Sequence, residues 1–211
     1  MEAPPTAPEF AAIPGFEVTT AVAAGFAADG ISTPTAVQHA AIPPILEGRP
    51  VVVESGTGTG KTLAYLLPVL QRLRQGLARR AVCVAPTTEL AIQILRVAAR
   101  YQEPTLRAVA LVTQGNQRLQ AARLQKSTAL VVGTPERILE AYAARKLAGT
   151  NLVVLDEPEP ILARPDAERL REILSRPEPR VQLVLAGATF GPQSERWIRD
   201  LMGSELVRTR V

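Results

Sequence analysis

The sequence predicts an α/β domain: a mostly parallel β-sheet flanked by helices on both faces. Three observations carry this. From Phe16 onward, short β-branched runs alternate with longer amphipathic stretches. The short runs are apolar almost throughout, as strands buried on both faces of a parallel sheet must be. Several of them are followed directly by segments rich in Gly, Thr or acid, and open α/β sheets place their ligand-binding loops at the carboxyl ends of strands.

The residues before Phe16, MEAPPTAPEFAAIPG, are rich in Pro and Ala and lack a sustained apolar period, so they read as a mobile tail. Strands are expected at Val51–Glu54, Ala81–Ala85, Ala108–Val112, Ala129–Val132, Leu152–Leu155 and Val181–Ala186, with a last one at Glu205–Arg208. Helical patterns cover Lys61–Gln75, Glu89–Tyr101, Arg118–Leu124, Pro135–Ala144, Ala167–Leu174 and Ser194–Met202.

Composition narrows the class. A chain of 211 residues with 46% apolar and 21% charged residues has enough to bury a core, which excludes a disordered protein. No apolar run approaches the roughly 20 residues of a membrane span. No charged segment precedes a hydrophobic stretch at the N-terminus, so a secretory signal is not expected. Cys83 is the sole cysteine, which rules out an internal disulfide and points to a cytoplasmic protein. With one His and one Cys a structural zinc site is not expected. The net charge of +4 suits a polyanion partner without requiring one.

The most informative segment is V-V-V-E-S-G-T-G-T-G-K-T, residues 51–62. A buried strand ends at Glu54, a glycine loop follows, and Lys61-Thr62 open a helix. Glycines at 56, 58 and 60 let the backbone turn tightly and aim successive N–H groups inward, and the helix adds its positive end. Ser55, Gly56, Thr57, Gly58, Thr59 and Gly60 would thus cradle phosphates. Lys61 would reach the β- and γ-phosphates, and Thr62 would offer its hydroxyl to Mg²⁺. Ser55 stands where the common form of this loop has glycine. Downstream, Leu152–Leu155 ends in Asp156-Glu157: Asp156 suits a metal held through water, Glu157 an attacking water to be polarised.

Other segments fall at the expected loops. Phe16 and Gly30-Ile31-Ser32-Thr33-Pro34-Thr35-Ala36-Val37-Gln38 precede the cradle; Ala85-Pro86-Thr87-Thr88-Glu89-Leu90-Ala91, Gly133-Thr134-Pro135-Glu136-Arg137, Asp156-Glu157-Pro158-Glu159 and Gly187-Ala188-Thr189 follow it. In this order and spacing the chain resembles the N-terminal RecA-like domain of DEAD-box RNA helicases from about Phe16 to the C-terminus. The resemblance implies a RecA-like P-loop domain over 16–211 that binds ATP and Mg²⁺, with catalytic Lys61, Asp156 and Glu157. It implies adenine recognition by Gln38, with Phe16 in the same binding set. Pro86, Thr87, Thr88, Gly115, Thr134, Pro135 and Arg137 would contact RNA backbone with little sequence specificity, and Glu159, Gly187 and Thr189 would couple hydrolysis to RNA. Thr134-Pro135 also reads physically as an N-cap followed by Pro in the first turn, which leaves N–H groups for a phosphate.

The chain departs from the family pattern unevenly. Thr88 replaces an arginine, Glu136 a glycine, Pro158 an alanine, Glu159 an aspartate, Gly187 a serine, and Ile31 an aromatic. Nucleotide-facing residues are retained; RNA-facing and coupling ones are altered. The serine–aspartate hydrogen bond of the family is therefore expected to be lost or rebuilt, with weak or unconventional coupling. The resemblance also calls for a second RecA-like domain, in cis or in trans, whose arginine finger is worth about 10³–10⁵ in rate. This domain alone is then expected to hydrolyse ATP very slowly. A non-catalytic or weakly hydrolysing ATP-gated RNA-binding scaffold is the alternative.

Four further features read as structural. Cys83 lies within an apolar strand as a buried thiol, and Trp197 belongs to the core face of an amphipathic helix. His39 is a surface or packing residue, and Arg72, Arg74, Arg79 and Arg80 form a solvated face.

Overall fold

The protein is described by a computed structural model covering residues 8–111, 124, 127–175 and 181–211. Gly115 and most of the helix expected over 118–124 lie outside the described residues. Those described run α1 (Pro8–Ala11), α2 (Thr20–Asp29), α3 (Ala36–Leu46), β1 (Val51–Glu54), α4 (Lys61–Arg74), β2 (Ala81–Val84), α5 (Thr88–Tyr101), β3 (Arg107–Leu111), β4 (Thr128–Gly133), α6 (Pro135–Ala143), β5 (Leu152–Asp156), α7 (Pro158–Leu162), α8 (Ala167–Leu174), β6 (Gln182–Gly187), α9 (Pro192–Met202) and β7 (Val207–Arg210).

Every strand pairing is parallel, in the order β3-β4-β2-β5-β6-β1-β7. Side chains alternate across a strand, so the inner strands supply two cores. Val51, Val53, Ala81, Cys83, Leu152 and Val154 face α1–α5; Val52, Val82, Val84, Val153 and Leu155 face α6–α9, where Trp197 is buried. Cys83 is a buried free thiol and His39 is exposed. Among the described residues no helix is long and apolar enough to cross a membrane.

Three expectations change. From Pro8 onward the N-terminal segment is packed rather than mobile: Phe10 stacks on Phe26 at 4.1 Å between ring centroids, and Phe10 and Ile13 are fully buried. The Pro and Ala count hid two large anchors three residues apart. The last strand begins at Val207, whose N–H donates to Pro50 O, two residues later than expected, because residues 203–206 are spent on the turn out of α9. Arg80 belongs to no solvated face. It is buried and donates to the carbonyls of Thr128, Lys146 and Ala148, while Arg72 reaches Leu46 O.

Two helices without a strong apolar stripe, α2 and α3, are fixed by their ends. Thr19 accepts from Val22 N and Gly30 closes α2 in the left-handed region. Thr35 and Gln38 form a reciprocal capping box on α3, which tolerates Pro43 and Pro44 near its end.

The topology positions the site. β6 lies between β5 and β1, and their ends are level: Glu54 is in register with Gly187 and Asp156 with Ala186. The glycine loop after β1 and the acid pair after β5 therefore stand about 10 Å apart, two strand spacings, with the end of β6 between them.

Candidate nucleotide and hydrolysis site

The loop after β1 is shaped by backbone rather than side chains. Gly58 and Gly60 have φ of 77° and 92°, and a Cβ on Gly60 would come within 2.6 Å of Gln38 Nε2. No side chain caps the start of α4, so its first N–H groups face the loop. Lys61 is buried; its Nζ donates to Ser55 O and Gly56 O at 2.7 Å each and lies 3.7 Å from Glu157 Oε1. The buried ammonium is thus held by two loop carbonyls and a nearby carboxylate. Thr62 follows it, half-buried, and Thr57 lies on the exposed part of the loop. Ser55 has a use here that glycine could not serve: its Oγ donates to Thr59 Oγ1 at 2.8 Å, and Thr59 Oγ1 donates to Gly56 O at 2.9 Å.

Gln38 is brought to the cradle and Phe16 is not. Gln38 Oε1 accepts from Thr35 N at 2.9 Å, and Nε2 donates to Gly60 O at 3.3 Å, tying the α3 cap to the last loop glycine. Phe16 sits in the core beside Phe10, in a small cleft with Leu67, Leu70 and Tyr101. Leu67 lies about 9 Å beyond Lys61 along α4 at 1.5 Å per residue. The expected place of Phe16 in the nucleotide set is corrected accordingly: an aromatic at the head of an apolar cluster gains more from burial than from an exposed edge.

Asp156 ends β5 almost completely buried. One oxygen, Oδ2, accepts from the Tyr65 hydroxyl at 2.8 Å. Burial raises its pKa to about 6; the Tyr65 hydrogen bond opposes this, the Glu157 charge adds to it, and Lys61 opposes it. Burial also pushes the Tyr65 phenol and the Cys83 thiol well above their ordinary values. Tyr65 was not among the sequence candidates. Its signal was there in the spacing, because position 65 lies one turn after Lys61 on the same face of α4.

Glu157 is one of two described non-glycine residues in the left-handed region, with φ 49° and ψ 70°. Its N–H donates to Ala186 O at 2.7 Å. A following proline already disfavours right-handed helix at this position. The strain, of order 1–3 kcal/mol, places a half-exposed carboxylate beside Lys61.

The segments expected to meet RNA differ from one another. Thr87 is an ordinary cap, accepting from Leu90 N at 3.2 Å; Pro86 is half-buried and Thr88 buried. Thr134 precedes Pro135 at the start of α6 with the backbone of a cap, yet its hydroxyl makes no cap bond. Its Oγ1 and Arg137 Nε are buried polar atoms without partners, although Arg137 also pairs with Glu140. Glu136 adds no free charge, since Arg164 holds it at 2.7 Å and also pairs with Asp166.

The residues expected to couple the two sites are bonded differently from the family pattern. Glu159 accepts from the Gly191 N–H at 2.6 Å and from the Ser194 hydroxyl, both at the start of α9. A Cβ on Gly187 would meet Pro158 Cδ at 3.0 Å, so the ring fills the space a serine would need. Thr189 is exposed.

A glycine cradle after β1, a lysine opening α4 and an acid pair after β5 define a P-loop domain of RecA-like architecture. Comparison with known proteins gives the family. A sequence model of the DEAD/DEAH box helicases matches residues 35–197. The chain is 36% identical over 178 residues to the Probable ATP-dependent RNA helicase YfmL of Bacillus subtilis, covering 82% of this chain and 47% of that protein. It is 35% identical over 184 residues to the DEAD-box ATP-dependent RNA helicase CshC of Bacillus cereus, covering 85% and 47%. Its fold matches the crystal structure of a DEAD box protein from Methanococcus jannaschii with a TM-score of 0.82 at 22% identity, over 93% of this chain and 55% of that one. The chain belongs to the DEAD/DEAH box helicase family, as an N-terminal RecA-like domain. It spans about half the length of the curated relatives it matches.

Proposed function

We propose that this chain is the ATP-binding half of an ATP-dependent RNA helicase that remodels RNA together with a second RecA-like domain. The observation that carries this reading is the convergence of Lys61, Asp156 and Glu157 at the level ends of β1 and β5, with Lys61 Nζ 3.7 Å from Glu157 Oε1. The residues present fit a nucleotide with Mg²⁺: a Cβ at Gly60 would clash with Gln38, α4 starts uncapped, and the Asp156 carboxyl, held by the Tyr65 hydroxyl, lies at the strand end beside Lys61 and Glu157.

In this reading Lys61 leaves the Ser55 and Gly56 carbonyls for phosphate oxygens, and the N–H groups opening α4 bind beside it. Thr62 and Asp156 would hold Mg²⁺, which when bound neutralises charge on the phosphates. Glu157 Oε1 orients the attacking water and accepts its hydrogen bond. Gln38 reads the adenine edge while keeping its hold on Gly60. The N–H groups opening α6 offer donors to the RNA backbone, with Thr134 and Arg137 packed beneath them, which supports recognition of sugar and phosphate rather than of base sequence.

Retention of the acid pair beside Lys61 favours a hydrolysing domain over a scaffold. The test is ATP turnover by the chain joined to a second RecA-like domain, with and without single-stranded RNA. Turnover that RNA raises and that Glu157→Gln removes is the expected result; turnover indifferent to both refutes the reading.

A further inference from the structure

The strained Glu157 lies immediately before a segment, Pro158–Leu162, that reaches across to the start of α9. Gly187 closes β6 between cradle and acid pair: its carbonyl accepts from Ser55 N at 3.1 Å, and the space above it is taken by Pro158. One residue on, Glu159 accepts from Gly191 N and Ser194 Oγ, while Gln193 Nε2 donates to Leu162 O at 2.6 Å. Helix α9 has no cap of its own from Gly191, so the Glu159 carboxylate serves as its cap from another element, at the positive end of the helix. Ser194 is completely buried, and a buried hydroxyl pointing at a carboxylate is a specific contact. On its next residue the same turn of α9 carries Glu195, which pairs with both amino groups of Arg208 on β7 at 2.8 and 2.9 Å; Arg208 lies 3.8 Å from Glu54, the last residue before the cradle.

We infer that Glu159, through Ser194 and the Gly191 amide, is a positioning residue: it anchors the segment that holds Glu157 in its left-handed conformation and ties the state of the phosphate site to helix α9. The inference rests on the nucleotide reading of the site. Its logic is mechanical. A left-handed glutamate persists only where its flanks over-determine it. On one side Glu157 N is fixed to Ala186 O; on the other, the Pro158 ring lies over Gly187 and the Glu159 carboxylate is fixed to α9. A shift of Glu157 toward a bound phosphate pulls on Glu159, and the first turn of α9 follows.

The molecule carries its own reporter. Trp197, the sole tryptophan, lies one turn after Ser194 on α9 and is buried in the same cluster as Ile161 and Leu162 of α7. The experiment titrates this chain with Mg²⁺–ATP and Mg²⁺–ADP, following Trp197 emission and, separately, binding by calorimetry. In the wild type, emission is expected to change saturably and to differ between the two nucleotides. Ser194→Ala and Glu159→Ala should abolish the change while calorimetric affinity stays within about twofold. Single-turnover hydrolysis by the chain joined to a second RecA-like domain should fall about 10- to 100-fold at saturating nucleotide with unchanged half-saturation. The double variant should be no worse than either single one, because both remove one link. Glu159→Gln, which keeps an acceptor oxygen and the side-chain shape, should recover part of both signals, and it serves where the alanine variant folds poorly. Binding with no change in emission, a response that survives Ser194→Ala, or effects of the two variants that simply add would each overturn the inference. Absence of calorimetric binding in the wild type would instead refute the nucleotide reading beneath it.

Discussion

The loop after β1 and the start of α6 are built alike: a buried strand ends in a turn, and a helix begins with its N–H groups facing outward. Their polar groups are not treated alike. Around the cradle, Lys61, Gln38, Ser55 and Thr59 all spend hydrogen bonds on one another or on loop carbonyls. At α6, Thr134 Oγ1 and Arg137 Nε are buried without partners. A buried polar atom left unpaired costs about 1–3 kcal/mol, and Glu54 Oε2 at the edge of the cradle shares that condition. The loop side chains are thus bonded among themselves, whereas two side chains of the α6 corner are not fully bonded.

That contrast can be broken or sharpened by substitution. The largest effect on nucleotide binding is expected for Lys61→Ala. Loss of a charged donor to phosphate should weaken Mg²⁺–ADP binding by about 10- to 100-fold in calorimetry, with no change in RNA affinity.

Next comes Asp156→Asn. The carboxyl is raised from 3.8 in the unfolded chain to about 6 in the fold, so its contribution to stability is fully present below about pH 4 and is lost as pH rises through 6. The ionised form then costs the nucleotide-free fold up to about 3 kcal/mol at pH 7. Asparagine keeps an acceptor for Tyr65 and removes the charge. Urea unfolding of Asp156→Asn should show greater stability at pH 7, converging on the wild type near pH 4, together with lost Mg²⁺-dependent nucleotide binding.

Gly187→Ser should cost about 1–3 kcal/mol, since its Cβ is driven against Pro158. Pro158→Ala in the same chain should recover most of that loss in thermal melts, which marks the two positions as one packing decision.

The smallest effect belongs to Thr134→Val. Removing a hydroxyl that caps nothing and bonds nothing should stabilise the chain by up to about 1 kcal/mol while weakening single-stranded RNA binding several-fold in fluorescence polarisation. A stabilised, weaker binder is the signature of a polar atom kept for a ligand.

How much of this was legible in the sequence follows from where each signal lives. The strands were readable because burial on both faces demands unbroken apolar runs, and β1 falls on the expected residues, Val51–Glu54. The cradle and acid pair were readable because their chemistry is carried by contiguous residues. Helices α2 and α3 were less so: they are apolar nearly all round and are marked mainly by Thr19, Gly30 and the Thr35–Gln38 box. Phe10 was hidden among prolines. Contacts between distant segments left no local trace at all. Nothing near position 159 announces that its partner is Ser194, and nothing near Arg80 announces the carbonyls at 128, 146 and 148. Tyr65 lies between these cases, at a spacing that places it under Lys61 but with a partner, Asp156, that only the sheet order supplies.

The claim at the centre of this account is that the Lys61 corner is an adenine-nucleotide site whose base end is read by Gln38. The most direct measurement is a calorimetric titration of this chain with Mg²⁺–ADP and with Mg²⁺–GDP, repeated for Gln38→Ala. The account predicts saturable ADP binding, GDP binding weaker by about tenfold or more, and loss of that preference in Gln38→Ala. Equal affinity for the two nucleotides, or an ADP preference that survives Gln38→Ala, would contradict it.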